Sequence, residues 1–138
     1  MASFKIRGGK KLAGEITPQG AKNEILQILS AVLLTSEKIT INNIPDIVDV
    51  NKLIEILGDL GVKIEKLGKG SYSFQADNIN LEHLYSDDFR YKGGRLRGSI
   101  MIVGPLLARF GQAAIPRPGG DKIGRRRLDT HFIGFEKL

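Results

Sequence analysis

The sequence predicts an α/β protein assembled from repeated helix–strand units. Three observations lead there. Apolar residues recur at helical spacing over 24–34, 50–60 and 100–110, while short alternating stretches at 38–42, 62–65 and 72–76 have strand periodicity. The blocks AVLLTSEKITINNIP and GPLLARFGQAAIPRP align at a constant offset, with Leu33-Leu34 over Leu106-Leu107 and Pro45 over Pro118. The chain has 138 residues, 41% hydrophobic and 26% charged, which suits one folded domain with a real core.

Taken in order, Phe4–Arg7 alternates before Gly8-Gly9, and Leu12–Ile16 gives a second short extended piece. Thr17-Pro18-Gln19-Gly20 interrupts the pattern, so a new element begins at Ala21 or just after. Ile25, Ile28, Leu29, Val32 and Leu33 then share a helix face, which Leu26 and Leu34 widen, predicting a heavily buried helix. Lys38–Asn42 reads as a strand, and Asn43–Asp46 as a loop. A second helix fits 50–60, with Gly61 where a helix-ending glycine belongs. Strands at 62–65 and 72–76 flank a Gly-Lys-Gly turn, and 77–95 is polar and poorly patterned.

The pattern then recurs as a helix over 100–110, a weak strand over 112–115, a loop over 116–124 and a helix over 125–138. That last helix would present Leu128, Phe132, Phe135 and Leu138 on one face. The second copy stops at Leu138 before its closing strand, which predicts a piece of a longer protein.

Lys and Arg number 21 against 15 Asp and Glu, a net charge of +6 that favours anionic partners. With no cysteine, disulfides, thiolate metal sites and cysteine nucleophiles are excluded within this chain. The two histidines, His83 and His131, lack metal-ligand spacing, so no metal site is expected. No apolar run approaches a membrane span and the N-terminus has no leader-like core, which points to a cytoplasmic setting.

Basic residues cluster at expected helix starts: Lys22 before the first, Arg95 and Arg97 before the third, Arg125 to Arg127 opening the fourth. Cations there oppose the helix dipole by about 0.3–1 kcal/mol, so three such placements suggest anion binding; a solvated surface explains any single cluster equally well. GGDKIG matches neither a P-loop nor a dinucleotide fingerprint. His131 reads as a structural hydrogen-bonding group, and Asp129 as a helix-surface partner of Arg125 or Arg126.

GAKNEILQILSAVLL, LRGSIMIVGPLLARFGQA and PGGDKIGRRRLDTHFIGFEKL resemble the enolpyruvyl transferases, in register over the whole chain. The resemblance lies with the branch serving bacterial cell-wall synthesis rather than with the shikimate-pathway branch, because of the PGGDKIG loop and the helix after it. It implies an inside-out α/β barrel of two domains, each made of three repeated βαβαββ units. Residues 1–21 would belong to the second domain, and 22–138 would form about one and a half repeats of the first. It implies transfer of the enolpyruvyl group of phosphoenolpyruvate to the 3-hydroxyl of UDP-N-acetylglucosamine, with phosphate released and no metal or organic cofactor. The family's general base and a further arginine come from the part absent here, so the 138 residues alone would not turn over.

Carried over by motif, Lys22 would contact phosphoenolpyruvate and Asn23 the UDP-sugar, and Arg97 would be an anion contact near both. Arg126 would bind a substrate phosphate or carboxylate, with Arg127, Leu128, Asp129 and Thr130 lining the nucleotide pocket. Arg127-Leu128 stands where the family usually has Pro-Val. Asp121 occupies the position where many members carry the cysteine attacked by fosfomycin, and would donate a proton to the methylene carbon. An isolated aspartate titrates near ~3.9. Neighbouring cations lower that value, whereas two bound polyanions and water exclusion raise it, so Asp121 would become a competent acid in the closed, loaded enzyme. A nucleic-acid-binding module is the reading of a different class; 7% aromatics with no interleaved stacking motif weighs against it.

Overall fold

A computed structural model describes residues 3–117, 119 and 127–137. The elements run α1 (Lys22–Ala31), β1 (Lys38–Ile41), α2 (Val48–Asp59), β2 (Lys63–Gly68), β3 (Ser71–Gln75), α3 (Asp87–Gly94), α4 (Val103–Phe110) and α5 (Asp129–Lys137). Short 3-10 turns occupy Val32–Leu34, Leu81–Tyr85 and Arg97–Ile102.

The strands form an antiparallel sheet in the order β1-β3-β2, with Ile39, Phe74 and Ile64 in register across its packed face. The opposite face is charged: Lys38 bonds Glu65 at 3.1 Å, and Lys63 bonds Asp77 at 2.6 Å just past the end of β3. A register irregularity between Lys66 and Gly68 bends β2 into its hairpin.

Helices α1 and α2 cover the apolar face. Leu29 of α1 and Leu33 of the 3-10 turn after it, with Leu53 and Leu57 of α2 and Leu60 that caps it, are fully buried around Phe74. Each such leucine contributes about 1.5–3 kcal/mol of transfer free energy. Gly61 ends α2 with φ +97°, and a Cβ there would stand 2.5 Å from the Asn78 carbonyl oxygen, so the turn requires glycine. The second half docks on this core through Phe89, Leu96, Ile102 and Leu106.

Arg109, on the last turn of α4, joins the halves. Its Nη1 donates to the carbonyls of Leu33 at 3.1 Å, Thr35 at 2.9 Å and Ala76 at 2.8 Å, tying α4 to the end of the first helical segment and to the end of β3. The guanidinium also lies over the Phe110 ring, 4.8 Å from its centroid.

Several sequence expectations are corrected. Residues 3–20 form no helix or strand, and Phe4, Ile6, Leu12 and Ile16 are almost fully exposed; alternation makes a strand only when a neighbouring edge accepts its hydrogen bonds. Residues 112–115 are likewise not a strand, although Ala113, Ala114 and Ile115 pack against the core as irregular chain. Leu34 is exposed because the 3-10 turn after Ala31 rotates it off the buried face.

Helix α3 lies inside the span read as unpatterned. Ser86 caps it by accepting from the Phe89 N–H at 3.1 Å, and Asp87 and Asp88 stand in its first turn. Residues 97–102, where the third helix was expected to begin, are 3-10, with α-geometry from Val103. Arg127 and Leu128 precede α5, so Arg127 does not open it from within. No side chain of α5 is buried, and Phe132 and Phe135, expected on its apolar face, are exposed. The observed architecture is thus α/β, with one three-stranded sheet among the described residues.

Candidate active site

Lys22 is the first residue of α1, entered from Ala21 in extended conformation with no side-chain cap. Its ammonium bonds the Asp49 carboxylate at 3.0 Å, and Asp49 stands in the first turn of α2. Two helix N-termini therefore converge on this ion pair. Asn23 follows, exposed, with its carbonyl accepting from Gln27 Nε2 at 3.2 Å.

The approach of the two helices is set by backbone. A Cβ on Gly20 would lie 2.1 Å from the Asn43 carbonyl oxygen and 3.2 Å from the Pro45 ring, so the entry to α1 rests directly on the loop that leads into α2. Only a residue without a side chain permits that contact.

Arg97 opens the 3-10 turn that packs on the same helix. A Cβ on Gly98 would lie 3.1 Å from the side chain of Leu26, one turn along α1 from Lys22. Arg97 is half-buried and has a bonding partner of its own. Arg95, its companion in the sequence, caps the end of α3 instead; it donates to the Tyr91 hydroxyl at 2.8 Å and lies over that ring.

Arg127 reaches Asp129 through both Nε and Nη2; the expected pairing of Asp129 with Arg125 or Arg126 falls outside the described residues. Leu128 is half-buried and accepts at its carbonyl from the His131 N–H at 3.0 Å, while Thr130 and His131 are exposed. Asp121, Lys122, Arg125 and Arg126 lie outside the described residues. The structure thus brings together Lys22 and the Arg97 turn on α1, and separately Arg127 to Thr130 at the start of α5.

The sequence reading missed Asp49, and no local pattern points to it, because it reaches Lys22 across 27 residues. It also missed an acidic nest at the α2–α3 contact. Lys92 bonds Asp59 at 2.6 Å and both Glu55 and Asp88 at 3.0 Å; these bonds, that to Asp59 foremost, hold its ammonium well above the ordinary lysine range. Asp59, His83 and Asp88 place possible metal-ligating atoms within 4.8 Å of one another, but the Lys92 ammonium already sits on both of those carboxylates. Among the described residues His83 Nε2 is buried with no hydrogen-bond partner, 3.7 Å from Asp88.

A cavity of about 640 Å³ opens between the 43–46 loop and the β2–β3 hairpin, lined by residues including Gln19, Asn43, Asn51, Lys66, Lys69 and Tyr72. None of the expected site residues that are described lines it. Among the described residues no helix is long and apolar enough to cross a membrane.

The UDP-N-acetylglucosamine 1-carboxyvinyltransferase of Bacteroides fragilis is 62% identical over 138 residues, which is all of this chain and 32% of that protein. The proteins of the same name from Bacteroides thetaiotaomicron and Porphyromonas gingivalis are 60% and 56% identical over the same spans. The chain therefore covers about a third of the length of these relatives. The solved enolpyruvyl transferase NikO from Streptomyces tendae superposes with a TM-score of 0.56 at 24% identity, over 75% of this chain and 23% of that one, a likeness of fold. Residues 6–138 match the family described as EPSP synthase (3-phosphoshikimate 1-carboxyvinyltransferase), and the chain belongs to that enolpyruvyl transferase family.

Proposed function

We propose that this chain supplies part of an enzyme that transfers the enolpyruvyl group of phosphoenolpyruvate to the 3-hydroxyl of UDP-N-acetylglucosamine, releasing phosphate for peptidoglycan synthesis. The observation that carries the reading is identity of 56–62% along the entire chain to relatives named for that reaction. In this reading residues 1–21 belong with a second domain, and 22–138 form part of an inside-out barrel domain that holds both substrates. The setting is cytoplasmic, without metal, organic cofactor, membrane or nucleic acid.

Both substrates are polyanions, and fixed cations lower the barrier by stabilising charge that moves onto the leaving phosphate. Lys22 contacts phosphoenolpyruvate, Asn23 the sugar and Arg97 an anionic group near both. Arg126 takes a phosphate or carboxylate, while Arg127, Leu128, Asp129 and Thr130 line the nucleotide pocket. The Arg127–Asp129 pair supports a pocket wall in which the guanidinium is already neutralised, leaving Arg126 as the anion contact of that run. In the addition step the Asp121 carboxyl gives its proton to the methylene carbon as the sugar 3-hydroxyl, losing its proton to a base from the remainder of the enzyme, bonds the adjacent carbon. In the elimination step that carbon's bond to the phosphate oxygen breaks, phosphate leaves with the bonding pair, and a methyl proton passes back to the Asp121 carboxylate, regenerating the vinyl group.

The family description itself keeps 3-phosphoshikimate in view as the alternative acceptor. The test uses this chain joined to the remainder that its relatives possess. Phosphate release from phosphoenolpyruvate is measured against UDP-N-acetylglucosamine and against shikimate 3-phosphate. Release with the nucleotide sugar alone supports the proposal, and release with shikimate 3-phosphate alone overturns it. Salt-sensitive binding to random DNA, with no release for either acceptor, would favour the nucleic-acid reading.

A further inference from the structure

We infer that Asp49 is a positioning residue: it holds the Lys22 ammonium at the junction of two helix N-termini in the orientation that receives phosphoenolpyruvate. The inference rests on the proposed function, and it deepens that reading by assigning a residue that no sequence motif points to.

Three observations carry it. The Lys22–Asp49 contact, at 3.0 Å, links the first residue of α1 to the first turn of α2, and among the described residues Asp49 is the carboxylate within salt-bridge reach of Lys22. The geometry is built into the backbone, since Gly20 rests on Asn43 and Pro45 at distances that exclude a side chain, fixing one helix start against the other. The pair stays accessible, with side chains 43% and 39% exposed, so a ligand can reach the ammonium without unfolding anything.

The electrostatics explain why a carboxylate can sit here without cancelling the site. A helix N-terminus carries the equivalent of roughly half a positive charge. Lys22 adds its charge to the start of α1, where the dipole repels it, and an untethered lysine would swing outward to water. Asp49 stands at the start of α2, where the same kind of field partly compensates its negative charge. The pair therefore keeps a net positive end facing solvent while restricting the rotamers of Lys22. A bound phosphate or carboxylate meets a cation already in place, and less freedom is lost on binding.

The test is made with Asp49→Asn, Asp49→Ala and Asp49→Glu in the chain joined to the remainder its relatives possess. kcat/KM for phosphoenolpyruvate should fall about tenfold in the Asn variant and up to about a hundredfold in the Ala variant. Affinity for UDP-N-acetylglucosamine and the melting temperature should stay close to wild type, and Glu should restore part of the loss. Equal losses for both substrates, or unchanged kinetics in the Ala variant, overturn the inference.

An arm that needs no turnover follows the rate at which an amine-acetylating reagent modifies Lys22, read by peptide mass analysis. Release by Asp49→Ala should raise that rate about two- to fivefold, the factor corresponding to an exposed ion pair. An unchanged rate also overturns the inference. Absence of phosphate release in the unmutated protein overturns the proposed function instead, and the acetylation arm still decides whether Asp49 holds Lys22.

Discussion

Replacing Arg109 by Met keeps most of the side-chain bulk and removes the guanidinium. In the structure one nitrogen, Nη1, faces three carbonyl oxygens at 2.8, 2.9 and 3.1 Å, yet it carries two N–H bonds. At least one proton is therefore shared, and the clamp amounts to two charge-assisted hydrogen bonds rather than three. At about 1.5 kcal/mol each, the low end for a charged donor, the loss comes to about 3 kcal/mol. The contact over Phe110 adds roughly 0.5–1 kcal/mol at most in this half-buried setting. Arg109→Met should thus lower the free energy of unfolding by about 3 kcal/mol, measured by urea titration followed by circular dichroism, with the denaturant slope unchanged. Arg109→Lys, with a point charge in place of the fork, should fall between. A loss below about 1 kcal/mol for Met would refute the clamp as a determinant of how the halves dock.

Further outcomes follow from other sites. Because the folded state holds the Lys92 ammonium above its ordinary 10.5, its contribution is complete below that pH and is lost as pH rises through the higher folded value. The stability gap between wild type and Lys92→Met, followed by thermal melts, should be flat at neutral pH and narrow above about pH 10.5. At the acid end the Glu65 carboxyl, bonded to Lys38, is held below its ordinary 4.5, so its contribution is present above that pH and fades as pH falls further; Lys38→Met should flatten this part of the curve. Gly61→Ala should cost about 2 kcal/mol in unfolding free energy, because it combines a left-handed φ with a Cβ pressed on backbone; a change under about 0.5 kcal/mol would contradict the turn geometry. In the joined enzyme Asp121→Ala should depress turnover far more than sugar-nucleotide binding, and a mass adduct of fosfomycin on 117–131 would defeat the reading of a carboxylate in place of a thiol.

How much could be read without coordinates varied with the physics involved. Helix α2 was legible because Val50, Leu53, Ile56, Leu57 and Leu60 all point to one core and Gly61 ends it. β1, β2 and β3 were legible in outline from alternation, though their order was not, since pairing depends on partners remote in sequence. Helix α3 was illegible by periodicity because Phe89 is its one buried large apolar residue; it is held by the Ser86 cap, the Lys92 ion pairs and the seat of Pro116 against Gly93. At 4–7, 12–16 and 112–115 a local pattern suggested strands, but extended chain becomes a strand only where an edge is free to pair. At the site, Lys22 and Arg97 carried a motif signal that brought them into view. Asp49 and Arg109 carried none, since each acts on groups far along the chain.

The order β1-β3-β2 also has a consequence for synthesis on the ribosome. The strand at the middle of the sheet is the last of the three to emerge, so β1 and β2 have no mutual edge to join while they wait. Until residue 75 has left the exit tunnel, the nascent chain can form α1 and α2 but not the layer they cover. Arg109 then arrives more than thirty residues later to fasten the end of that layer. The N-terminal half is thus assembled in a single late step, and this interval is when its leucines most need protection from other nascent chains.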